Sequence, residues 1–171
     1  MKLKGKKVAI LLENNYQELE FWYPFYRLKE EGAEVVVAGV GREAYASKYG
    51  YPAREDVKAS DLDPGSVDAV VIPGGYAPDL MRVDEGMINL VRGAHEAGKV
   101  VAAICHAGWV LVSAGVLKGK KATGVRMIKD DMVNAGCEFL DQEVVRDGNL
   151  ITSRIPVDLP AFCREIIDAL S

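Results

Sequence analysis

Cysteine, histidine and excess positive charge are all scarce in this chain of 171 residues. It has 3 cysteines and 2 histidines, and its 21 basic side chains are outnumbered by 25 acidic ones, which gives a net formal charge of −4. An odd number of thiols without Cys-x-x-Cys or Cys/His ligand spacing argues against a disulfide framework and a structural zinc site. The acidic balance argues against nucleic acid or an anionic membrane as a partner.

Long hydrophobic runs are missing as well. No apolar stretch approaches the roughly 18 residues that a membrane crossing needs, and residues 1–5 lead into a predicted strand without a signal-peptide hydrophobic segment. Apolar residues nevertheless make up 49% of the chain, which is too many for a disordered protein. We therefore expect one cytoplasmic domain over residues 1–171, with a sizeable core and no membrane segment.

Buried strands alternate with helices along the chain. The apolar runs that predict strands buried on both faces are Lys7–Leu12, Glu34–Gly39, Ala69–Pro73 and Val100–Ile104. The predicted helices are Gln17–Glu31, Glu85–Ala97, Ala107–Ala114, Ile128–Ala135 and Asp158–Leu170. A small excursion of strands and turns is expected within Gly41–Asp63, and a hairpin pairs Glu143–Arg146 with Leu150–Ser153. The alternation predicts an α/β fold with a doubly wound, mainly parallel sheet sandwiched by helices, and a site at the carboxyl ends of its strands.

Cys105 lies where the predicted strand Val100–Ile104 turns directly into a predicted helix, with Ala103 and Ala107 as its second neighbours. Small residues at these positions are typical of a nucleophile elbow, in which the nucleophile occupies a tight, strained turn. A helix N-terminus would also favour the thiolate and lower the pKa of the thiol. We therefore interpret Cys105 as a nucleophile rather than as a small buried hydrophobic residue.

His106 follows the candidate nucleophile, and its ring could act as an acid, a base or a charge partner, or have only a structural role. Its backbone N–H is the oxyanion donor that follows an elbow nucleophile. Gly74 and Gly75, directly after Ala69–Pro73, allow a close backbone approach and could supply the second donor. A plain turn is the alternative interpretation of the two glycines.

Two carboxyl groups, those of Glu18 and Glu20, follow the first strand. Their spacing places them on different faces of a helix, so at most one of them points to the site. A carboxyl held beside a thiolate would have a raised pKa and could donate a hydrogen bond or move a proton. Position alone leaves the choice between them open, and a solvated helix face is the alternative for both.

The remaining thiols and the second histidine have no features of a site. Cys137 follows a predicted helix, and Cys163 falls on the apolar stripe of the last helix, so we expect both to be packing residues. His95 lies in a polar helix end and is expected to be a solvated surface residue.

Several other site types are disfavoured by the sequence. Gly39–Ala44 matches a dinucleotide-binding pattern, but it follows the second strand and precedes no convincing helix. Gly115 and Gly119–Lys121 lack the spacing of a phosphate-binding loop. No spacing supports a metal site, and we expect no cofactor. No histidine follows His106, which disfavours glutaminase-like and papain-like sites that take a base from far downstream.

Four motifs in order resemble the PfpI family, which is named for an archaeal intracellular protease and is related to the Parkinson disease-associated deglycase. The resemblance spans essentially the whole chain and rests on Glu20–Pro24, Pro73–Asp79, Ala103–His106 and Thr152–Pro160. It implies a flavodoxin-like sandwich related to the class-I glutaminases.

The resemblance also implies roles for individual residues. Cys105 would be the nucleophile and Glu20 the buried acid hydrogen-bonded to it, which resolves the choice between the two carboxyls. The backbone N–H groups of Gly75 and His106 would be the oxyanion donors.

The family resemblance further implies a homo-oligomer, a dimer or a hexamer. In the protease-like members the histidine pairs with an acid of the neighbouring subunit, and Asp79 is that position here. Some members carry the longer Glu there. A tyrosine found near the site in some archaeal members falls at Val125, so any role it has is absent.

Three functions compete on these grounds. The first is a glyoxalase or protein-deglycase type of enzyme, in which the Cys105 thiolate adds to methylglyoxal or its protein adducts and lactate is released. The second is an intracellular cysteine peptidase in which His106 protonates the leaving amine. The third is a stress-response redox sensor or chaperone in which a sulfinate on Cys105 is stabilised by Glu20.

Overall fold

The computed structural model describes all 171 residues. Its strands are β1 (Lys7–Leu11), β2 (Glu34–Gly39), β3 (Tyr45–Ala46), β4 (Pro52–Ala53), β5 (Val57–Lys58), β6 (Ala69–Ile72), β7 (Val100–Ile104), β8 (Lys121–Ala122), β9 (Glu138–Phe139), β10 (Val145–Asp147) and β11 (Leu150–Ser153). Its α-helices are α1 (Glu18–Glu30), α2 (Ala77–Met81), α3 (Glu85–Glu96), α4 (Gly108–Ala114), α5 (Lys129–Asn134) and α6 (Leu159–Leu170).

Seven strands form the central sheet, in the order β10-β11-β7-β6-β1-β2-β5. All neighbours are parallel except β10 and β11, which form the predicted hairpin. Every residue of β6 and β7 is buried, because helices cover both faces of the sheet and leave no solvated side. The predicted mainly parallel α/β sandwich is therefore confirmed.

The helices lie in two layers. Helix α6 packs beside α1 on one face of the sheet, and α3 and α4 pack against each other on the opposite face. The most regular amphipathic helices, α3 and α6, turn their apolar stripes inward, where they join a continuous core of 51 buried residues. Cys137 and Cys163 belong to that core, as the sequence predicted. None of the helices combines the length and the apolar character that crossing a bilayer would require.

Some local features differ from the sequence-based expectations. The chain after Cys105 first makes a 3-10 turn, Cys105–Ala107, and α4 begins only at Gly108. Pro24 lies in the middle of α1, a position that the sequence analysis did not anticipate and where it has no N–H to donate to the carbonyl of Glu20. The short helix α2 and the two-stranded sheet of β8 and β9 were not predicted.

The topology brings three loops to one edge of the sheet. Strands β6, β1 and β7 are adjacent and parallel, with β1 and β7 on either side of β6. Their carboxyl ends therefore point the same way, and the segments that follow them, residues 13–20, 74–79 and 105–106, meet there. This edge holds the candidate site.

Candidate active site

Cys105 has a backbone conformation that L-residues rarely adopt. Its φ is +62°, and Asn15 is the only other non-glycine residue with a positive φ. Such a conformation costs about 1–3 kcal/mol and persists only where the surrounding structure imposes it. Here Ala103 and Ala107, which are 1% and 0% exposed, allow the strand and the following turn to pass close together. The turn has the geometry that the sequence predicted for an elbow.

Two backbone N–H groups, those of Gly75 and His106, lie near the Cys105 sulfur and act to lower the pKa of its thiol, against the larger effect of burial. Gly75 has a φ of +82°, and a Cβ there would lie 2.5 Å from the carbonyl oxygen of Asn15 and 2.6 Å from the nitrogen of Gln17. Only glycine fits such a position. Both N–H groups could stabilise negative charge on the sulfur, and their role as oxyanion donors stays a prediction.

Glu20 is fully buried at the first turn of α1, with 0% exposure. Its Oε1 accepts a hydrogen bond of 3.0 Å from the N–H of Gly74, its carboxyl contacts the Cys105 thiol, and its Oε2 has no further partner. A Cβ at Gly74 would lie 2.5 Å from that Oε1 and 2.9 Å from the Cβ of Cys105. The glycine therefore leaves the space in which the acid and the thiol meet.

Glu18 turns away from this group. Its Oε1 accepts a hydrogen bond of 2.8 Å from the backbone N–H of Tyr49, in the loop between β3 and β4. The expectation that at most one of the two carboxyls points to the site is thus met by Glu20, because two residues along a helix rotate the side chain to another face.

Burial of the carboxyl raises the pKa of Glu20 to about 8. Burial, and after it the charge of Glu20, raise the pKa of the Cys105 thiol to about 12, while the N–H groups of His106 and Gly75 lower it. The two shifts belong to one pair of acids that share a site, so they are not independent. At neutral pH the Glu20 carboxyl is protonated, so its charge does not act on the thiol and burial alone opposes the first ionisation.

The predicted lowering of the Cys105 pKa is therefore wrong. The sulfur lies beside a buried carboxyl, and α4 begins three residues later and has only seven residues. Burial raises the pKa of the Cys105 thiol by more than the nearby N–H groups of His106 and Gly75 lower it. Once the first proton has left, a protonated Glu20 can donate its O–H to the thiolate.

His106 lies beside the thiol, with 3.5 Å between its Nδ1 and the Cys105 Sγ. Its ring is partly buried and packs at 5.1 Å, between centroids, on the ring of Trp109. Burial and, second, the charge of Lys48 lower the pKa of His106, so the imidazole is neutral at pH 7. A neutral ring at this distance can accept the thiol proton or return one.

Asp79 does not meet His106 within one chain. It lies on the short helix α2, is exposed, and its backbone N–H donates to the carbonyl of Tyr76. Its assignment to the histidine of a neighbouring subunit stays a prediction.

Two further residues at the site were missed by the sequence analysis, Lys48 and Trp109. The Lys48 ammonium affects the pKa of both Glu20 and His106. The indole N–H of Trp109 donates a hydrogen bond of 2.8 Å to a carboxylate oxygen of Asp131. This bond holds the indole ring against the ring of His106. The helical spacing of Trp109, three residues after His106, could have identified it. No local signal identifies Lys48, because a long-range loop packing brings it there.

His95 is partly buried rather than solvated, which corrects the sequence-based expectation. Its backbone carbonyl accepts from the Asn149 side chain at 3.0 Å, its Nδ1 is buried without a partner, and burial lowers its pKa. It belongs to the C-terminal end of α3 and takes no part in the site. No three metal-ligating side chains come together in the chain.

Comparison with known proteins gives one consistent result. Residues 6–169 match the model of the DJ-1/PfpI family. A deglycase from Pyrococcus horikoshii is 45% identical over 96% of this chain and 99% of its own length. A putative cysteine protease from Bacillus subtilis is 40% identical over 97% of this chain and 99% of its own. The crystal structure of Drosophila melanogaster DJ-1beta superposes with a TM-score of 0.91 at 33% identity, covering 96% of this chain and 90% of that one.

Proposed function

Because this chain belongs to the DJ-1/PfpI family, we propose that it is a cysteine-dependent enzyme of the glyoxalase or protein-deglycase type. Its substrates are small reactive aldehydes such as methylglyoxal and the adducts that they form on proteins. The observation that carries the proposal is the environment of Cys105, whose sulfur lies near two backbone N–H groups, a buried carboxyl and an imidazole. Deglycase is also the name given to the relative from Pyrococcus horikoshii.

The first step joins the sulfur to the substrate. The thiol proton passes to His106, whose Nδ1 lies 3.5 Å from the sulfur, and the thiolate attacks the aldehyde carbon. The carbonyl π bond breaks, and its oxygen takes up negative charge between the N–H groups of Gly75 and His106 before it is protonated. An adduct on a protein amine enters the same path when its carbon–nitrogen bond breaks and the amine leaves with a proton.

The second step moves a hydrogen between adjacent carbons of the hemithioacetal. A base removes the proton from the carbon bonded to sulfur, and a proton returns to the neighbouring carbonyl carbon, which yields a lactoyl thioester. Glu20 and His106 are the two groups placed to carry this proton. A carboxyl with a pKa of about 8 both gives up and takes back a proton near neutral pH.

The last step is hydrolysis of the thioester by water, which restores the thiol and releases lactate. The net reaction converts methylglyoxal and water into lactate and a proton. Because this reaction is redox-neutral overall, it requires no external oxidant or reductant, which is consistent with a cofactor-independent enzyme.

A cysteine peptidase of the PfpI type is the second candidate, and the name of the Bacillus subtilis relative favours it. A peptidase needs a histidine that a third group holds in one orientation. Within one chain the ring of His106 contacts Trp109 instead of a carboxylate, so this role would depend on Asp79 from a second subunit. A redox sensor or chaperone is the third candidate. The Glu20 carboxyl beside the sulfur supports it, because this group could stabilise a sulfinate on Cys105.

One comparison separates the three candidates. The wild-type protein and a Cys105→Ser variant are given methylglyoxal, a glycated peptide and fluorogenic peptides, and lactate and peptide cleavage are measured. We expect lactate from the first two substrates with the wild type only, and no cleavage. Cleavage that depends on Cys105 without lactate would replace the proposal with the peptidase. No turnover, together with a peroxide-dependent mass gain at Cys105, would replace it with the sensor.

A further inference from the structure

The loop between β3 and β4 is fastened to the backbone that supplies an oxyanion donor. The backbone N–H of Lys48 donates a hydrogen bond of 2.8 Å to the carbonyl of Tyr16. Tyr16 in turn forms an isolated antiparallel bridge with Gly75. The position of Lys48 is therefore set by the same short segment that presents the N–H of Gly75 to the sulfur.

The Lys48 ammonium contacts two aromatic rings, one of which adjoins Gly75. Its Nζ lies 5.1 Å from the ring centroid of Tyr76, which directly follows Gly75, and 5.7 Å from that of Tyr49. Cation–π contacts of this length restrain an ammonium without neutralising its charge.

This ammonium has no carboxylate partner within 4.0 Å, whereas those of Lys2 and Lys7 each have one. Glu18 is the nearby carboxylate, and its charge interacts with that of Lys48, but its Oε1 accepts from the backbone N–H of Tyr49 and it forms no ion pair with the ammonium. After burial, the charge of Lys48 also acts on the pKa of both Glu20 and His106, which places it near these two groups. A positive charge without a carboxylate partner therefore lies beside Tyr76, the residue that directly follows Gly75.

We propose that Lys48 is a specificity-determining residue that binds a carboxylate carried next to the reacting carbonyl group of the substrate. The site would then prefer anionic carbonyl compounds, such as a small oxo acid or an adduct on an amino acid with a free carboxylate, over neutral aldehydes of the same size. The inference deepens the proposed function and rests on Cys105 adding to carbonyl carbons.

A binding experiment tests this preference without requiring turnover. Glyoxylate is compared with glycolaldehyde, which has a neutral hydroxymethyl group in place of the carboxylate. Each adds to the thiol in the same way: a bond forms between sulfur and the aldehyde carbon, the carbonyl π bond opens, and the thiol proton ends on the oxygen. Binding is measured as protection of Cys105 from alkylation by iodoacetamide, quantified by mass spectrometry of the peptide.

Three variants isolate the charge of Lys48. Lys48→Met keeps most of the side-chain length without charge, Lys48→Arg keeps the charge, and Lys118→Met removes an exposed lysine elsewhere on the surface. We expect Lys48→Met to weaken glyoxylate binding about tenfold, the size of one solvent-exposed charge-assisted contact, and to change glycolaldehyde binding less than twofold. Lys48→Arg and Lys118→Met should bind both compounds nearly as the wild type does.

The outcomes separate the inference from the function on which it rests. An equal loss for both aldehydes in Lys48→Met, or no loss for either, would overturn the role of Lys48 while leaving Cys105 as the nucleophile. Failure of both aldehydes to protect Cys105 in the wild type would overturn the proposed function together with the inference.

Discussion

Cys105 and Cys163 make an instructive pair, because burial raises the pKa of each thiol to about 12. Cys163 lies in the regular helix α6, is 1% exposed, and packs within the apolar core. Cys105 has a positive φ, two backbone N–H groups near its sulfur and a protonated carboxyl beside it. A raised pKa is therefore shared by an inert thiol and a candidate nucleophile. The difference lies in the polar groups that would receive negative charge once a proton has left.

Removing each sulfur in turn tests this comparison with the largest expected effect. Cys105→Ala should lower lactate formation from methylglyoxal by about 10³-fold or more, because no other group can form the covalent intermediate. Cys163→Ala should leave the rate within about twofold and lower the free energy of unfolding by about 1 kcal/mol through a small cavity. Rates and urea unfolding curves measure the two effects. A strong loss of activity in a well-folded Cys163→Ala would contradict the distinction.

The oxyanion donors are tested by a pair of glycines. Gly75→Ala should lower kcat by about 10²-fold or more, since its Cβ would meet the Asn15 carbonyl and displace the N–H from the sulfur. Gly50→Ala is the matched control, because Gly50 has a similar φ of +89° but open space around its Cβ. It should cost only about 1 kcal/mol of stability with kcat unchanged. Circular dichroism shows whether Gly75→Ala is folded, and equal losses of kcat in both variants would exclude a specific role for Gly75.

Glu20→Gln removes the acid that distinguishes the two thiols. Because the folded-state pKa of Glu20 is raised from 4.5 to about 8, the wild type should lose stability as the pH rises through this window, by a few kcal/mol in order of magnitude. This loss should be absent from Glu20→Gln, so its curve of unfolding free energy against pH should be flatter. Parallel curves for the two proteins would contradict a buried protonated Glu20.

The same variant tests the contact with the thiol. An amide N–H is a weaker donor to the thiolate than a carboxyl O–H, so Glu20→Gln should alter the Cys105 pKa and slow alkylation at pH 7 by about tenfold. Glu18→Gln is the control, since Glu18 turns away from the site. An unchanged Cys105 pKa in Glu20→Gln would refute a direct contact between the two groups.

The sheet was predictable because each of its central strands is a continuous apolar run bounded by polar or glycine residues, as β6 and β7 show. The elbow at Cys105 was predictable for a similar reason, since the alanines on either side are a local signal. Both features depend on residues close together in sequence.

The features that escaped the sequence depend on distant residues. Glu18 and Glu20 could not be told apart by position, because what separates them is Gly74, more than fifty residues away. No local sequence signal identifies Lys48, because its place is set by the hydrogen bond from its N–H to the carbonyl of Tyr16, which in turn pairs with Gly75. The direction of the Cys105 pKa was mistaken for the same reason, since the burial that sets it comes from the whole fold.

Two consecutive peptide groups after β6 lie beside the Glu20 carboxyl and the Cys105 thiol. The N–H of Gly74 donates to Glu20, and the next N–H along the chain, that of Gly75, lies near the Cys105 sulfur. The two Cα atoms are separated by a fixed distance of about 3.8 Å, so neither donor can shift without moving the other. Any movement of this dipeptide would therefore alter the surroundings of the carboxyl and of the sulfur together, which couples the two acids mechanically through one stretch of backbone.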